Sequence, residues 1–220
     1  MKSIALVGNP NSGKSTLFNA LTGSTQFVGN WPGVTVEKKE GKAKIAGETV
    51  RVMDLPGIYS LSPYSNEEII SRDYILNENP DVVIDIIDAT NLERNLYLTT
   101  QIIELGVPVI VALNMMDVVK QKGEELSAKA LSKELGCPVV EISAIKKEGI
   151  EELKKVFMDL ASGAKKVTPS SFKYSEDMEN ALADIKGLHF GEGAMDKHAD
   201  FITLKILSDD QVILKSESVA

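Results

Sequence analysis

Along the first 162 residues of the chain, short runs of apolar residues alternate with longer segments in which apolar residues recur with the period of a helix. Runs such as 4–7, 82–87 and 107–113 have the length and the β-branched content of buried strands. The segments between them carry apolar residues three and four positions apart, which is typical of helices that pack one face against a core. This alternation predicts an α/β fold, a mostly parallel sheet with helices on both faces. The predicted helices are 14–21, 66–76, 92–105, 127–135 and 149–160, and 139–142 is the last predicted strand of the series.

A β-hairpin interrupts the series. Residues 36–45 and 48–53 alternate polar with apolar positions on either side of Gly47, so we expect them to add one antiparallel edge strand to the sheet. The segments 26–35 and 55–65 are rich in Gly, Pro, Asn and Ser and are predicted to be loops.

The pattern changes after Gly163. Residues 163–171 are basic and contain Ser and Pro, and we interpret them as a linker that ends a domain spanning 1–162. Residues 172–220 then form a predicted small all-α appendage, with helical spacing over 174–185 and 194–207 and no clear signal over 208–220.

Composition narrows the class of partner and the cell compartment. The chain has 220 residues, a net charge of −8 and a sequence pI of about 4.9, so its acidic surface argues against a nucleic-acid partner. Cys137 is the only cysteine, which excludes an internal disulfide. No apolar run reaches the roughly 18 residues needed to span a membrane, and the apolar run at the start is too short for a signal peptide. We therefore expect a soluble, cytoplasmic chain that does not itself insert into a membrane.

The first predicted strand leads into a phosphate-binding motif. The segment from Gly8 to Ser15 reads GNPNSGKS and fits the P-loop pattern G-x-x-x-x-G-K-[ST]. In such a loop successive N–H groups point at a phosphate, the position of Lys14 supplies a positive charge to the β and γ oxygens, and the Ser15 hydroxyl can ligate Mg²⁺.

Two further segments are candidates for contact with the terminal phosphate and its metal ion. Asp54 follows a predicted strand and begins the motif D-x-x-G, so it can hold Mg²⁺ through a water while the Gly57 N–H contacts the γ-phosphate. Thr35 lies in the loop between the P-loop helix and the hairpin and can complete the metal shell when a γ-phosphate is present. The alternative for Thr35 is a β-branched residue that begins a strand. The predicted Mg²⁺ ligands are Ser15, Thr35 and Asp54, and Lys14, Thr35 and Gly57 are candidate catalytic residues.

The end of the strand at 107–113 carries a candidate for base recognition. Asn114-Met115-Met116-Asp117 follows it, and a carboxylate at Asp117 can accept hydrogen bonds from the N1–H and 2-amino groups of guanine. Adenine lacks this pair of donors, so the motif favours GTP over ATP. The alternative is that Asp117 only caps the next helix. Ser143-Ala144-Ile145, after the last strand, can contact the guanine O6 through its backbone.

Taken in order, these motifs predict a P-loop GTPase fold and a GTPase that needs Mg²⁺, with GTP as substrate and GDP as product. The candidate nucleotide-binding residues are Gly8, Asn9, Asn11, Ser12, Gly13, Lys14, Ser15, Thr16, Asn114, Met115, Asp117, Ser143, Ala144 and Ile145.

The motifs in this order resemble the translation-factor-related GTPases over roughly residues 1–162. The stretches 8–23, 28–37 and 54–61 are similar to the cytosolic G domain of the FeoB family of ferrous iron transporters. That resemblance implies a nucleotide switch that regulates iron uptake at the cytoplasmic face of the cell membrane. It also implies a helical region that links the G domain to a membrane domain, so this chain would be a soluble N-terminal fragment with that membrane domain as its partner.

Three positions depart from the patterns of related GTPases. Ile58 stands where Ras-like proteins carry a Gln that orients the attacking water, so slow turnover is expected. Met115 replaces the usual Lys of the guanine motif, which suggests weak nucleotide binding and easy release. Asn11 stands where potassium-activated GTPases carry a potassium-coordinating Asn. We therefore hypothesise a catalytic role for Asn11, which would bind K⁺ together with backbone carbonyls near Gly29 and Trp31.

Two other functions remain open at this point. A ribosome-assembly GTPase would share the site, although residues 163–220 lack the basic face of an RNA-binding module. A nucleotide-gated binding switch with negligible hydrolysis is also compatible with Ile58. Trp31 either folds back onto the domain or changes its surroundings with the γ-phosphate.

Overall fold

A central sheet of seven strands organises the chain in a computed structural model that describes residues 1–23, 26–164, 174–190 and 197–216. The strands are β1 Ser3–Gly8, β2 Gln26–Asn30, β3 Glu37–Ile45, β4 Glu48–Asp54, β5 Val82–Asp88, β6 Val109–Asn114 and β7 Val139–Glu141. The helices are α1 Lys14–Thr22, α2 Asn66–Glu78, α3 Leu92–Glu104, α4 Met116–Gln121, α5 Ala128–Leu135, α6 Ile150–Ala161, α7 Glu176–Phe190, α8 Ala199–Leu207 and α9 Gln211–Ser216, with a 3₁₀ turn at Ala89–Asn91.

The sheet has the order β2-β3-β4-β1-β5-β6-β7. Strands β4, β1, β5, β6 and β7 run parallel to one another, and β3 is antiparallel to both β2 and β4. The carboxyl ends of the parallel strands therefore meet at one edge of the sheet, where the loops that follow them form a crevice. This confirms the predicted α/β class, the mostly parallel sheet and its antiparallel edge.

Hydrophobic side chains cover both faces of the sheet. Along β1 the side chains of Ala5 and Val7 enter one core, while those of Ile4 and Leu6 enter the other. The first core packs against α2, α3 and α8, and the second packs against α1 and α6. Because β1 is buried on both faces, its residues form a continuous apolar run rather than an alternating one.

The loop predicted over residues 26–35 is wrong in its first half. Gln26–Asn30 forms β2 and pairs with Glu37–Gly41 of β3, which places it at the edge of the sheet outside the predicted hairpin. Phe27 and Val28 are exposed, so this strand has no buried face that would mark it in the sequence. Pro32 and Gly33 do lie in a turn, which the Trp31 N–H closes by donating to the Val36 carbonyl at 2.9 Å.

The appendage is helical and packs directly on the sheet domain. Helices α7 and α8 lie where two helices were predicted, although α8 begins later, at Ala199, and α9 was not predicted. Phe201, Ile202 and Ile213 enter the core that also contains α3. The predicted linker lies mostly outside the described residues, so the domain boundaries stay a prediction. Among the helices that the structure describes, none is both long and apolar enough to cross a bilayer.

Candidate functional site

The P-loop joins β1 to α1 at the edge of the sheet where the parallel strands end. β1 ends at Gly8 and α1 begins at Lys14, immediately after Gly13, whose φ is 95°. A Cβ on Gly13 would lie 2.2 Å from the Asn114 Nδ2, and one on Gly8 would lie 2.6 Å from the Ile86 carbonyl oxygen. Only glycine fits at these two positions, because both contacts are far shorter than any real Cβ contact.

Two buried polar atoms of the P-loop lack a hydrogen-bond partner within the described residues. They are the Asn9 side-chain oxygen and the Ser12 hydroxyl. The backbone of the loop is hydrogen-bonded at the same place: the Ser12 N–H donates to the Asn9 carbonyl at 3.1 Å. Buried polar atoms are nearly always paired, so these two indicate a loop shaped for a bound polar group.

Lys14 and Asp54 meet beside the P-loop. The Lys14 ammonium forms an ion pair with the Asp54 carboxylate, and both side chains are largely withdrawn from solvent. Asp54 ends β4, next to Leu6 of β1, which brings the carboxylate to the same edge as the P-loop. A cation thus already lies against the carboxylate predicted to hold a metal ion, which agrees with a site for positive charge between the two motifs.

The segment after Asp54 approaches the P-loop through its backbone. The Ile58 N–H donates to the Gly8 carbonyl at 3.3 Å, and a Cβ on Gly57 would lie 3.4 Å from atoms of Pro10. The Ile58 side chain is 2% exposed and belongs to the core, so it does not face the crevice. Thr35 is exposed in the connection between β2 and β3, and within the described residues no hydrogen bond joins it to Lys14 or Asp54.

Asn114 joins the guanine-motif segment 114–117 and the segment 143–145 to the P-loop. Its Nδ2 donates to the Ser12 carbonyl at 2.8 Å, and its Oδ1 accepts from the Ala144 N–H at 2.9 Å. Met115 follows with a φ of 65°, and this turn starts α4 so that Asp117 lies in its first turn. Both side-chain atoms of Asn114 are therefore used in joining three loops into one corner of the crevice.

Asp117 has a partner that the sequence did not indicate. The Lys146 Nζ lies 3.1 Å from the Asp117 Oδ2. This hydrogen bond, with a smaller contribution from the Ser143 hydroxyl, lowers the pKa of Asp117 below its usual value and keeps the carboxylate ionised. In the same loop Ser143 and Ala144 are buried, whereas Ile145 is 81% exposed.

Trp31 folds back onto the domain, which is one of the two outcomes considered for it. Its ring meets Tyr74 of α2 edge to face, with 5.8 Å between the centroids, and the Lys38 Nζ lies 5.0 Å from its centroid. The Trp31 indole nitrogen and the Tyr74 hydroxyl are both buried without a partner among the described residues. The loop between β2 and β3 is thus attached to the helix that follows the D-x-x-G motif.

Comparison with known proteins points to one family. A family model described as ferrous iron transport protein B matches residues 2–157. The Fe(2+) transporter FeoB of Salmonella typhimurium is 53% identical over 204 residues, which cover 91% of this chain and 24% of that protein. FeoB of Escherichia coli K12 is 53% identical over 156 residues, which cover 69% of this chain and 20% of that protein. The chain therefore spans between a fifth and a quarter of the length of these relatives.

Solved structures give the same result for the fold. The cytosolic domain of T. maritima FeoB in its GMPPNP form has a TM-score of 0.91 and 39% identity, covering 99% of this chain and 85% of that one. An S. thermophilus NFeoB mutant bound to GDP has a TM-score of 0.88 and 44% identity, covering 98% of this chain and 83% of that one.

Proposed function

The chain belongs to the family of ferrous iron transport protein B, and on that premise we propose that it is a nucleotide switch that binds GTP and hydrolyses it to GDP and phosphate. Similar domains of known structure are described with GDP and with GMPPNP, which supports a guanine nucleotide as the ligand. The P-loop with its two unpartnered polar atoms supports a phosphate group as the part that is held.

The function of the whole protein forms a second layer of the proposal. Because the chain matches 20% to 24% of the length of its relatives, a membrane domain elsewhere in a longer protein is its proposed partner. The switch would act at the cytoplasmic face of the cell membrane and regulate uptake of ferrous iron. Family membership favours this function over a ribosome-assembly GTPase, which would need an RNA-binding surface.

The proposed specificity for guanine rests mainly on the hydrogen bonds of Asn114 and on the position of Asp117 beside it. Asn114 fixes the Ser12 and Ala144 backbones, and Asp117 follows in the first turn of α4 with an ionised carboxylate. Guanine offers two N–H donors that a carboxylate can accept together, whereas adenine has an acceptor at N1 and no amino group at C2, so it gives Asp117 neither hydrogen bond. Ser143, Ala144 and Ile145 would line the same base, with the Ala144 N–H already committed to Asn114.

The residues around the P-loop suit a triphosphate with Mg²⁺. Ser15, Thr35 and Asp54 offer only oxygen atoms, which are the ligands that Mg²⁺ prefers. Bound Mg²⁺ would neutralise charge on the phosphate oxygens. Lys14 would leave Asp54 to contact the β and γ oxygens, and until then the ion pair holds both side chains beside the P-loop.

Slow hydrolysis follows from the position of Ile58. Its side chain is packed in the core and cannot orient water, so the donor that this motif would offer to the terminal phosphate is the Gly57 N–H. A switch with negligible hydrolysis is therefore the second candidate, and a measured turnover number separates it from a working GTPase.

Asn11 is the proposed site of stimulation by K⁺. It is exposed in the P-loop with a φ of 67°, so its side-chain oxygen is accessible to a cation beside the phosphates. Gly29 lies within β2 opposite Lys38, and the Trp31 carbonyl accepts from the Val34 N–H at 3.3 Å. Contributing these carbonyls to K⁺ would require the connection between β2 and β3 to rearrange or the oxygens to be shared.

Exchanging the specificity of the base tests the proposed role of Asp117. In an Asp117→Asn variant one side-chain oxygen still accepts from N1–H, while the new amide donates to the C2 carbonyl of xanthine, which replaces the 2-amino group of guanine. We expect the variant to lose affinity for GDP and to gain affinity for xanthosine diphosphate. Asp184→Asn, the same change at an exposed residue of α7, is the control.

Both affinities are measured by equilibrium titration, and ADP serves as the negative ligand. An Asp117→Asn variant with unchanged preference for GDP over xanthosine diphosphate would contradict the assignment of Asp117 to the base.

A further inference from the structure

The ammonium of Lys146 forms an ion pair with Asp117, the carboxylate that would bind guanine in the proposed function. The Lys146 Nζ lies 3.1 Å from the Asp117 Oδ2, while the side chains of Lys146 and Asp117 remain 44% and 20% exposed. An ammonium group has three N–H donors and a full charge, so it satisfies an ionised carboxylate at least as well as the two N–H donors of a base do.

The loop that carries Lys146 is fixed at its base. Ser143 and Glu148 exchange two backbone hydrogen bonds of 3.1 Å each, which closes a short antiparallel bridge around residues 144–147. The Ala144 N–H is held by Asn114, and Lys147 has a φ of 58° where the chain turns back. Lys146 therefore contacts Asp117 from a short loop whose two ends are held together by hydrogen bonds.

The charge at this corner comes from an unexpected place in the chain. Position 115 of the guanine motif is Met rather than Lys. The ammonium beside Asp117 belongs instead to Lys146, which is 29 positions after Asp117. A cation in that place can pair with Asp117 only while no base needs the same oxygen.

We propose that Lys146 competes with guanine for Asp117: its ammonium holds the carboxylate in the nucleotide-free chain, and the base must displace it to bind. This inference rests on the proposed recognition of guanine by Asp117. Lys146 thus lowers the affinity for GDP, and it is a residue that tunes nucleotide binding rather than a catalytic one.

Competition for Asp117 and simple attraction of the GDP anion predict opposite changes in affinity when the lysine charge is removed. GDP is an anion, so removing a nearby lysine charge would ordinarily weaken its binding. Competition predicts the opposite for Lys146→Met, because the variant no longer has an ion pair to break. Lys147→Met removes the same charge one residue along the loop and leaves the Lys146–Asp117 pair in place, which makes it the matched control.

The experiment is an equilibrium titration with a fluorescent GDP analogue at 50 mM and 1 M NaCl. An exposed ion pair is weak, so we expect Lys146→Met to bind GDP about two- to five-fold more tightly than the parent at low salt. The difference should shrink at high salt, because screening weakens the pair in the parent. Lys147→Met should bind no more tightly than the parent.

A double-variant cycle isolates the pair. In the Asp117→Asn background the carboxylate is gone, so adding Lys146→Met should not tighten the binding of xanthosine diphosphate. Weaker or unchanged binding of GDP by Lys146→Met would overturn the inference, as would equal tightening by Lys147→Met. Failure of the parent chain to bind GDP at all would instead overturn the proposed function.

Discussion

The buried pair between Arg72 and Asp210 should be the most sensitive polar contact between the appendage and the sheet domain. Arg72 of α2 is 0% exposed and the Asp210 side chain 3% exposed, with 2.9 Å between the Nη1 and the Oδ2. The other Asp210 oxygen accepts from the N–H groups of Val212 and Ile213, so the same carboxylate begins α9.

Removing the charge of Asp210 without removing its oxygen gives the sharpest perturbation. Asp210→Asn keeps an acceptor for the first turn of α9 but leaves the Arg72 guanidinium buried without its carboxylate. Within the described residues its Nε and Nη2 already lack hydrogen-bond partners. The remaining carboxylate near it is that of Asp73, which is 3.6 Å from Nε and 47% exposed, so it compensates only weakly for the loss. Breaking a buried pair in this way costs about 3–5 kcal/mol of the free energy of unfolding.

Arg72→Met should cost less than Asp210→Asn, because Asp210 would retain two backbone donors. The double variant removes both charges, so its loss should fall short of the sum of the single losses by about 1–3 kcal/mol. Urea denaturation followed by circular dichroism, and by the fluorescence of the single tryptophan, measures each value.

Asp200→Asn is the control for this series. It makes the same change in the appendage, at a side chain that is 78% exposed and paired with Lys186. Such a surface pair should contribute no more than about 0.5 kcal/mol. A loss below about 1 kcal/mol for Asp210→Asn, or losses that simply add in the double variant, would refute the view that this buried pair holds the appendage in place.

Three further predictions concern the core and the nucleotide site. Burial raises the pKa of Asp85 to about 7. Between about pH 4 and pH 7 the folded state therefore retains a proton that the unfolded chain releases. The free energy of unfolding falls as pH rises through this range. Asp85→Asn, which still accepts from Thr99, should therefore gain stability over the parent by a few kcal/mol between pH 4 and pH 8 in urea titrations; parallel pH profiles would argue against it. The emission of Trp31 should differ between the GDP and GMPPNP complexes with Mg²⁺, because the proposed movement of Thr35 to the metal would draw the loop away from Tyr74; identical spectra would mean that the ring stays in place. Asn11→Ala should turn over GTP at equal rates in KCl and NaCl, because it would lack the proposed K⁺ ligand. A variant that is stimulated by KCl as strongly as the parent would exclude Asn11 from the K⁺ site.

The backbone of the candidate nucleotide site was predictable from the sequence because each motif stands at the end of a strand. Gly8, Asp54 and Asn114 end β1, β4 and β6, so the parallel order of these strands is enough to bring the motifs to one edge. The hairpin of β3 and β4 was predictable from the alternation of its residues, which is regular over Gly41–Ile45 of β3, whereas the end of β4 is buried on both faces.

Features that depend on long-range pairing could not be predicted. β2 is nearly all exposed and owes its strand conformation to the open edge of β3, which leaves no apolar period in its sequence. The pair of Arg72 with Asp210 joins residues 138 positions apart, and Lys146 meets Asp117 only because the loop after β7 closes on itself. In each case the sequence gives the residue type but not the partner.

Steady-state release of phosphate is the measurement that tests the account most directly. GTP and ATP are compared with Mg²⁺ in matched KCl and NaCl buffers. The account predicts slow release from GTP, faster in KCl than in NaCl, with ATP inert. Hydrolysis of ATP at a comparable rate would contradict the role of Asp117, and the absence of any release from GTP in either salt would contradict a GTPase and leave only a nucleotide-binding switch.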